Sequence, residues 1–475
     1  HAHGIDAAFR PVTVPHEPPS PLYTLLKPIA GVALRWYYRS ITVMGIERVP
    51  REGPLFLAVN HPNALVDALV VGWSMPRRVR FTAKSTIFAN ALAARFFTAV
   101  GVVPLRRASD EHKALGSDAP IDPTRNAAAF DAVAEALAEQ AAVVVFPEGK
   151  SHDDPHLAPL RTGLARMALH AADERGVRGI QIVPIGLLFE RKESPRSRVL
   201  LQVGEPLDVD ALRAAQVGVH TLTELVTQRL EAVTLNFDSP EDAERLQMVG
   251  KTVAALLEPL SPLGDSAVPL RQTLAVVRRL DRAADALRER HDPDLEARAA
   301  AFETRVRAFR ARLDALQIDV QDLAIDAGAR AGVRFALRET VLAMLLVPIG
   351  AWGRLTHVVP IQLARRLALR AGQSLDEPAM RTLVMGLFLV LLAYAVQTAI
   401  VAMLFGGWWA LLFLLTLVPS ASSDLRYGDR LRRARWRARA YQLFRRDPSL
   451  QRSLRAEGDA IRRDAGRLEQ AISGA

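Results

Sequence analysis

Between Ile41 and Leu207, short apolar runs alternate with Ala-rich segments, and the spacing of the apolar positions changes with them. Leu55–Val59, Val79–Ala83, Ala141–Phe146, Gln181–Ile185 and Arg198–Val203 have the length and residue types of buried strands. Between two of them, Phe130, Val133, Ala134 and Leu137 recur at i, i+3, i+4 and i+7, which is one face of a helix. Strands alternating with helices predict an α/β unit, a largely parallel sheet flanked by helices. In such sheets ligands collect at the carboxyl ends of the strands.

The pattern changes twice further on. From Asp238 to Arg338 it predicts long polar helices, and Glu296–Leu316 contains neither Gly nor Pro. This stretch reads as an α-helical arm or connector. From Leu383 to Ser423 there is no Asp, Glu, Lys, Arg or His, and Leu383–Ala402 alone is long enough to cross a bilayer as a helix. Gly406-Gly407 interrupts the run, so a re-entrant hairpin and two crossings compete for residues 383–419. Val341–Gly353, with Pro348 inside it, reads as an interfacial or half-inserted helix. Pro21–Tyr38 is either an interface-seeking amphipathic helix or a core helix. Five units follow: an N-terminal segment (1–40), an α/β domain (41–237), a helical connector (238–338), a C-terminal membrane-associated helical region (339–423) and a basic helical tail (424–475).

Charge sharpens the membrane reading. The chain has 475 residues, with 61 Lys and Arg against 51 Asp and Glu, a net charge of +10. Arginines stand on both sides of the uncharged run, from Arg365 and Arg366 before it to Arg437 and Arg439 after it. That arrangement suits a hairpin whose ends face an anionic cytoplasmic leaflet. A nucleic-acid partner would need a basic recognition helix with stacking aromatics, and the sequence offers neither. No Cys is present, which excludes disulfides, thiolate metal sites and a cysteine nucleophile.

Unusual residues follow directly on several of the expected strands. Asn60-His61-Pro62-Asn63-Ala64-Leu65-Val66-Asp67 leaves the run 55–59. Pro62 breaks the chain direction and Asn63 suits the N-cap of a helix beginning at Ala64. His61 then stands at the strand mouth and Asp67 one turn into the helix, where a carboxylate can fix the imidazole tautomer. Gly101-Val102-Val103-Pro104-Leu105 ends in Arg106 and Arg107, whose guanidinium forks match phosphate oxygens, with Lys84 at the end of another strand. Phe146-Pro147-Glu148-Gly149-Lys150-Ser151 lacks the first Gly of a P-loop, because Val144 stands there. The Pro-containing stretch Ser151–His156 makes a poor metal cage, and no metal is expected.

In order and spacing these blocks, with Val183-Pro184-Ile185-Gly186 and Pro159-Leu160-Arg161-Thr162-Gly163, resemble the glycerolipid acyltransferase superfamily over residues 41–207. The flavour is nearest to the glycerol-3-phosphate and 1-acylglycerol-3-phosphate O-acyltransferases. The resemblance implies an α/β acyltransferase domain with His61 as general base and Asp67 as its orienting partner. It implies Arg106, Glu148 and Gly149 as holders of a glycerol-phosphate head, with Arg107, Lys84 and Arg161 in support. It further implies an acyl-CoA or acyl carrier protein thioester as co-substrate, no cofactor, and a place on the cytoplasmic face of a membrane (the inner one, if the source is bacterial). One departure stands out. Five residues separate His61 from Asp67, where the family usually has four. That extra residue motivates the alternative, a catalytically idle lipid-binding or scaffold protein.

Overall fold

The computed structural model describes residues 20–84, 91–105, 127–152, 154–192, 194, 196–258, 268–370 and 378–473. Its α/β unit opens with helix α1 (Pro21–Tyr37) and edge strand β1 (Ser40–Met44), followed by β2 (Leu55–Val59) and α2 (Ala64–Ser74). After β3 (Val79–Lys84) come α3 (Ala91–Val100), β4 (Val103–Leu105), α4 (Ala127–Ala138) and β5 (Ala142–Val145). Next are α5 (Gly163–Asp173), β6 (Gln181–Phe189), β7 (Arg198–Val203), β8 (Leu207–Asp208), α6 (Val209–Ala214) and α7 (Val219–Glu231). The strands form one sheet in the order β1-β7-β6-β2-β5-β3-β4, with β8 beside β6.

Every pairing in the series β6-β2-β5-β3-β4 is parallel, whereas β7 and β8 run antiparallel to β6. The all-apolar run of β2 has a direct cause: it lies mid-sheet, and all five residues are buried. Leu55, Leu57 and Val59 face the core beneath α1 and α2, while Phe56 and Ala58 face the core beneath α4, α5 and α7. Each of the four larger side chains among them contributes roughly 1.5–3 kcal/mol by leaving water. The alternation expected from the sequence is present. The short edge strands β1, β4 and β8 lay outside it, because strands of two to five residues at an edge leave no periodic signature.

The C-terminal half is helical: α8 (Pro240–Leu257), α9 (Leu270–Arg290), α10 (Pro293–Leu316), α11 (Ala329–Arg370), α12 (Pro378–Phe405), α13 (Gly407–Arg446) and α14 (Pro448–Ser473). Two expectations change here. The patch 341–353 is not a short helix of its own but the middle of α11, a continuous helix of 42 residues. The arm and the basic tail are not separate units either. Val249, Phe302, Phe309, Ala440, Phe444, Leu454 and Ile461 share one core, so the end of α13 and α14 fold back onto α8 and α10. Sequence spacing within one helix cannot reveal a partner two hundred residues away.

Helices α11, α12 and α13 pack on one another. Stretches Ala329–Leu363 and Gly386–Phe405 are long and apolar enough to cross a membrane, and only 6% of each apolar window is buried. Their interior is polar. Pro360 has no N–H for the Thr356 carbonyl, and Gln397 Nε2 donates to that oxygen instead at 2.8 Å. His357 Nε2 meets Tyr394 Oη at 2.7 Å, and Gly353 lets the backbone of Ser420 approach too closely for any Cβ. Helix α12 also touches α1 and α2, which joins this bundle to the α/β unit.

Candidate active site

Strand β2 stops at Val59, paired with Ile185, while β6 continues to Phe189. The Leu187 peptide would therefore lack its neighbour on that side. Asn60 fills the place: its Nδ2 donates to the Leu187 carbonyl at 3.1 Å and its Oδ1 accepts the Leu187 N–H at 2.6 Å. This amide clamp fixes where the chain leaves the sheet, and His61 is the next residue.

The turn from His61 to Asp67 accommodates the additional residue. Ala64 adopts a left-handed φ of 45°, a conformation that costs a non-Gly residue about 1 kcal/mol. With that turn made, His61 Nδ1 and Asp67 Oδ2 lie 2.9 Å apart. Asn63 occupies the N-cap, but its side chain does not cap the helix. It donates instead to Tyr38 Oη at 3.3 Å and the Lys192 carbonyl at 3.4 Å. The N–H of Asn63 goes to Asp67 Oδ2 at 2.7 Å and that of Ala64 to Ser151 Oγ at 3.1 Å. Two amides that a helix N-terminus would otherwise offer to an oxyanion are thus already occupied.

Electrostatics follow from burial. Asp67 is fully buried, and its Oδ1 has no protein partner among the described residues. Burial pushes its carboxyl above the ordinary carboxylate range, against the opposing pull of His61, the Asn63 N–H and Lys192. Burial also pushes the Tyr38 phenol up, so it stays protonated. Phe146 supports the imidazole from one side, stacked at 4.0 Å between centroids with planes 19° apart.

Glu148 plays another part than holding a substrate head. It is 2% exposed; Oε1 accepts the His61 N–H at 2.7 Å, and Oε2 accepts the Ala158 N–H at 3.0 Å beside His152 Nε2. Both oxygens are engaged inside the protein, so this carboxylate braces the His61 backbone. Gly149 has φ +76°, which favours glycine, and its N–H closes a turn onto the Phe146 carbonyl at 3.0 Å. Arg161 is exposed; its N–H reaches the Pro147 carbonyl at 2.7 Å, fastening the Phe146–Gly149 loop. Lys84 is the last residue of β3, and its side chain lies outside the described residues, as do Arg106 and Arg107 entirely.

Phe146, Ser151, His152, Tyr38 and Lys192 surround the pair without any spacing signal to connect them to it. Ser151 and His152 stand in the stretch weighed for a metal. Among the described residues no three His, Asp or Glu side chains form a metal-ligand group. Both residues instead serve the turn, one at the Ala64 N–H and the other at Glu148.

Residues 40–188 match the Acyltransferase family model, a stretch that contains His61, Asp67 and Glu148. The chain is similar to an uncharacterized acyltransferase of Schizosaccharomyces pombe, 24% identical over 260 residues, covering 38% of each protein. It is also similar to Glycerol-3-phosphate O-acyltransferase 1 of Saccharomyces cerevisiae, 25% identical over 300 residues, covering 45% of this chain and 39% of that one. Among solved structures, the 1-acyl-sn-glycerophosphate (LPA) acyltransferase of Thermotoga maritima is 17% identical with a TM-score of 0.34, covering 44% of this chain and 78% of that one. The chain spans 38% and 39% of the length of the two curated relatives. Residues 40–188 are an acyltransferase domain.

Proposed function

We propose that this protein is a membrane-bound O-acyltransferase that moves a fatty acyl group from an acyl thioester to a hydroxyl of glycerol-3-phosphate or lysophosphatidate. The observation that carries this reading is the contact of 2.9 Å between His61 Nδ1 and Asp67 Oδ2 at the carboxyl end of β2, inside the matched domain. With Asp67 ionised, the contact assigns the proton to Nδ1 and leaves the Nε2 lone pair to act as a base.

The step then balances as follows. Nε2 takes the acceptor hydroxyl proton as the oxygen attacks the thioester carbonyl carbon. The tetrahedral adduct collapses, the C–S bond breaks, and the imidazolium returns its proton to the thiolate. Asp67 stabilises the imidazolium between the two transfers. The thioester carries the activated bond, so the step needs neither ATP nor a metal. Phe146 and the Glu148 brace hold the ring and its backbone still, which is the positioning that direct transfer requires.

Membrane attachment fits the lipid product and rests on the two long apolar helices. Arginines on both sides of the uncharged run support a cytoplasmic placement of the domain.

The test is acyl transfer by detergent-purified protein, with acyl-CoA and acyl carrier protein each offered against glycerol-3-phosphate and lysophosphatidate. His61→Ala runs alongside, and transfer falls by about 10²–10⁴-fold with the fold intact by circular dichroism. Transfer that survives in the variant removes His61 as the base. No transfer from any pair by folded protein favours the idle lipid-binding scaffold.

A further inference from the structure

Helix α1 packs along α2, which carries Asp67 in its first turn. At the far end, Lys27 Nζ donates to the carbonyl of Met75, the C-cap of α2, at 3.0 Å. Midway, Gly31 lies so close to the Trp73 indole that a Cβ would collide with its Nε1. At the near end, Tyr38 Oη, just past the last turn of α1, accepts from Asn63 Nδ2 at 3.3 Å. Lys27, Gly31 and Tyr38 thus climb α1 as Met75, Trp73 and Asn63 descend α2, so the two helices run antiparallel. The gripped lengths match, at about 16–18 Å each for a rise of about 1.5 Å per residue.

Tyr38 is itself well fixed. It is wholly buried, and its ring meets Tyr37 edge-on at 4.9 Å between centroids and Phe189 at 5.8 Å. The loop between β6 and β7 ties down its backbone neighbours. The Arg196 N–H donates to the Tyr37 carbonyl at 2.6 Å, and the Arg39 N–H to the Ser197 carbonyl at 2.8 Å. The turn that Tyr38 touches needs such support. Its Ala64 has a left-handed φ, its Asn63 side chain does not cap α2, and a strained turn persists only where its surroundings over-determine it. Asn63 is the point of leverage. Its N–H and His61 Nδ1 meet the same atom, Asp67 Oδ2, at 2.7 Å and 2.9 Å.

We infer that Tyr38 is a positioning residue: its hydroxyl, carried by α1 as a strut, holds the Asn63 side chain and through Asn63 the alignment of Asp67 with His61. The inference rests on the reading of His61 as the base. Asn63 Nδ2 also reaches the Lys192 carbonyl at 3.4 Å, so Tyr38 supplies the shorter of its two tethers. Burial above all, then Tyr37 and the charge of Asp67, push the Tyr38 phenol up. A hydroxyl kept neutral in this way brings no competing charge to the pair.

Full-length protein in detergent offers two readouts, acyl transfer and carbethoxylation of His61 by diethyl pyrocarbonate, followed on the peptide that contains it. Both place positive charge on the imidazole, which Asp67 must meet, but the second needs no substrate. Tyr38→Phe lowers kcat about two- to tenfold, the worth of one hydrogen bond, and leaves KM for donor and acceptor unchanged. It slows the labelling of His61 by a similar factor. Asn63→Ala lowers both as well, and adding Tyr38→Phe to it costs nothing more, because the tether is already gone. Tyr23→Phe deletes a phenol towards the other end of α1, where Tyr23 Oη accepts the Val79 N–H at 3.5 Å, and leaves kcat and labelling at the parent's values. Unchanged kcat and labelling in Tyr38→Phe overturn the inference. So do equal losses in Tyr23→Phe and Tyr38→Phe, which would mark a general weakening of α1, a raised KM with kcat intact, or losses that add in the double variant. If folded protein transfers nothing, yet His61 labelling slows in Tyr38→Phe and not in Tyr23→Phe, the proposed activity fails and the positioning role stands.

Discussion

The α/β unit and the three long helices beside it are built on opposite plans. In the first, Leu55, Phe56 and Leu57 are wholly buried. In the second, Met403 is 78% exposed and Trp408 68%, while Thr356, His357 and Ser420 lie inside. Both obey the same rule, that each group faces the medium in which it is cheapest. Water drives apolar groups inward around the sheet. An apolar surrounding leaves them outside and drives hydrogen-bonding groups to one another, as with Gln397 on the Thr356 carbonyl. On the membrane-bound reading proposed above, the exposure of large apolar residues along these helices reflects the solvent they face.

One pair of substitutions tests that contrast most severely. Leu57→Asp, which buries an unpaired charge between helix layers, destabilises the α/β unit by about 3–5 kcal/mol and leaves little soluble or active protein. Val396→Asp, mid-way along α12 and 50% exposed, costs about 3 kcal/mol of membrane insertion. Carbonate extraction and detergent solubility report the second change. If α12 faces water, Val396→Asp stays within about 0.5 kcal/mol, and the contrast collapses.

A smaller effect is expected at the junction of core and site. Glu148→Ala leaves the buried N–H groups of His61 and Ala158 without their acceptor. The cost is about 1–3 kcal/mol for each orphaned group, read as a lower melting temperature together with a fall in kcat. Glu148→Gln keeps one acceptor oxygen and recovers part of both. Equal melting temperatures for the parent and Glu148→Ala would show that the brace carries no strain.

The smallest expected effect concerns pH. The Asp67 carboxyl is raised in the fold by burial, so its protonated form favours the native state. That contribution is complete below the unfolded pKa and is lost as pH rises through the native value. Asp67→Asn, neutral at every pH, therefore gains melting temperature relative to the parent as pH rises above the ordinary carboxylate range. Transfer activity falls across the whole range. A difference in melting temperature that does not change with pH would contradict the sign.

How much of this was legible in the chain depends on distance along it. Runs such as Leu55–Val59 and Arg198–Val203 announce strands because a strand buried on both faces must be apolar throughout. His61 and Asp67 are six residues apart on one turn, so local geometry was enough to pair them. The reading of Asn63 as a helix cap followed the local rule and missed its outcome. Tyr38 and Lys192 compete for the amide, and both come from far away in sequence. The same holds for Glu148, whose Oε1 is claimed by the backbone N–H of His61, 87 residues upstream.

The sequence by itself determined the five inner strands of the sheet, which helices are apolar enough for a membrane, and where a His–Asp pair would stand. These are properties of neighbours within a few residues, set by period, turn chemistry and composition. Only the tertiary structure decided that Asn60 plugs the end of β2, that Glu148 braces the His61 backbone, and that the basic tail returns to the helical arm. It alone brought Arg39, Arg198 and Arg271 round one cleft at the β1–β7 edge of the sheet. Such contacts join residues tens to hundreds of positions apart. Their energy depends on desolvation and geometry fixed only when the sheet has closed and the helices have packed.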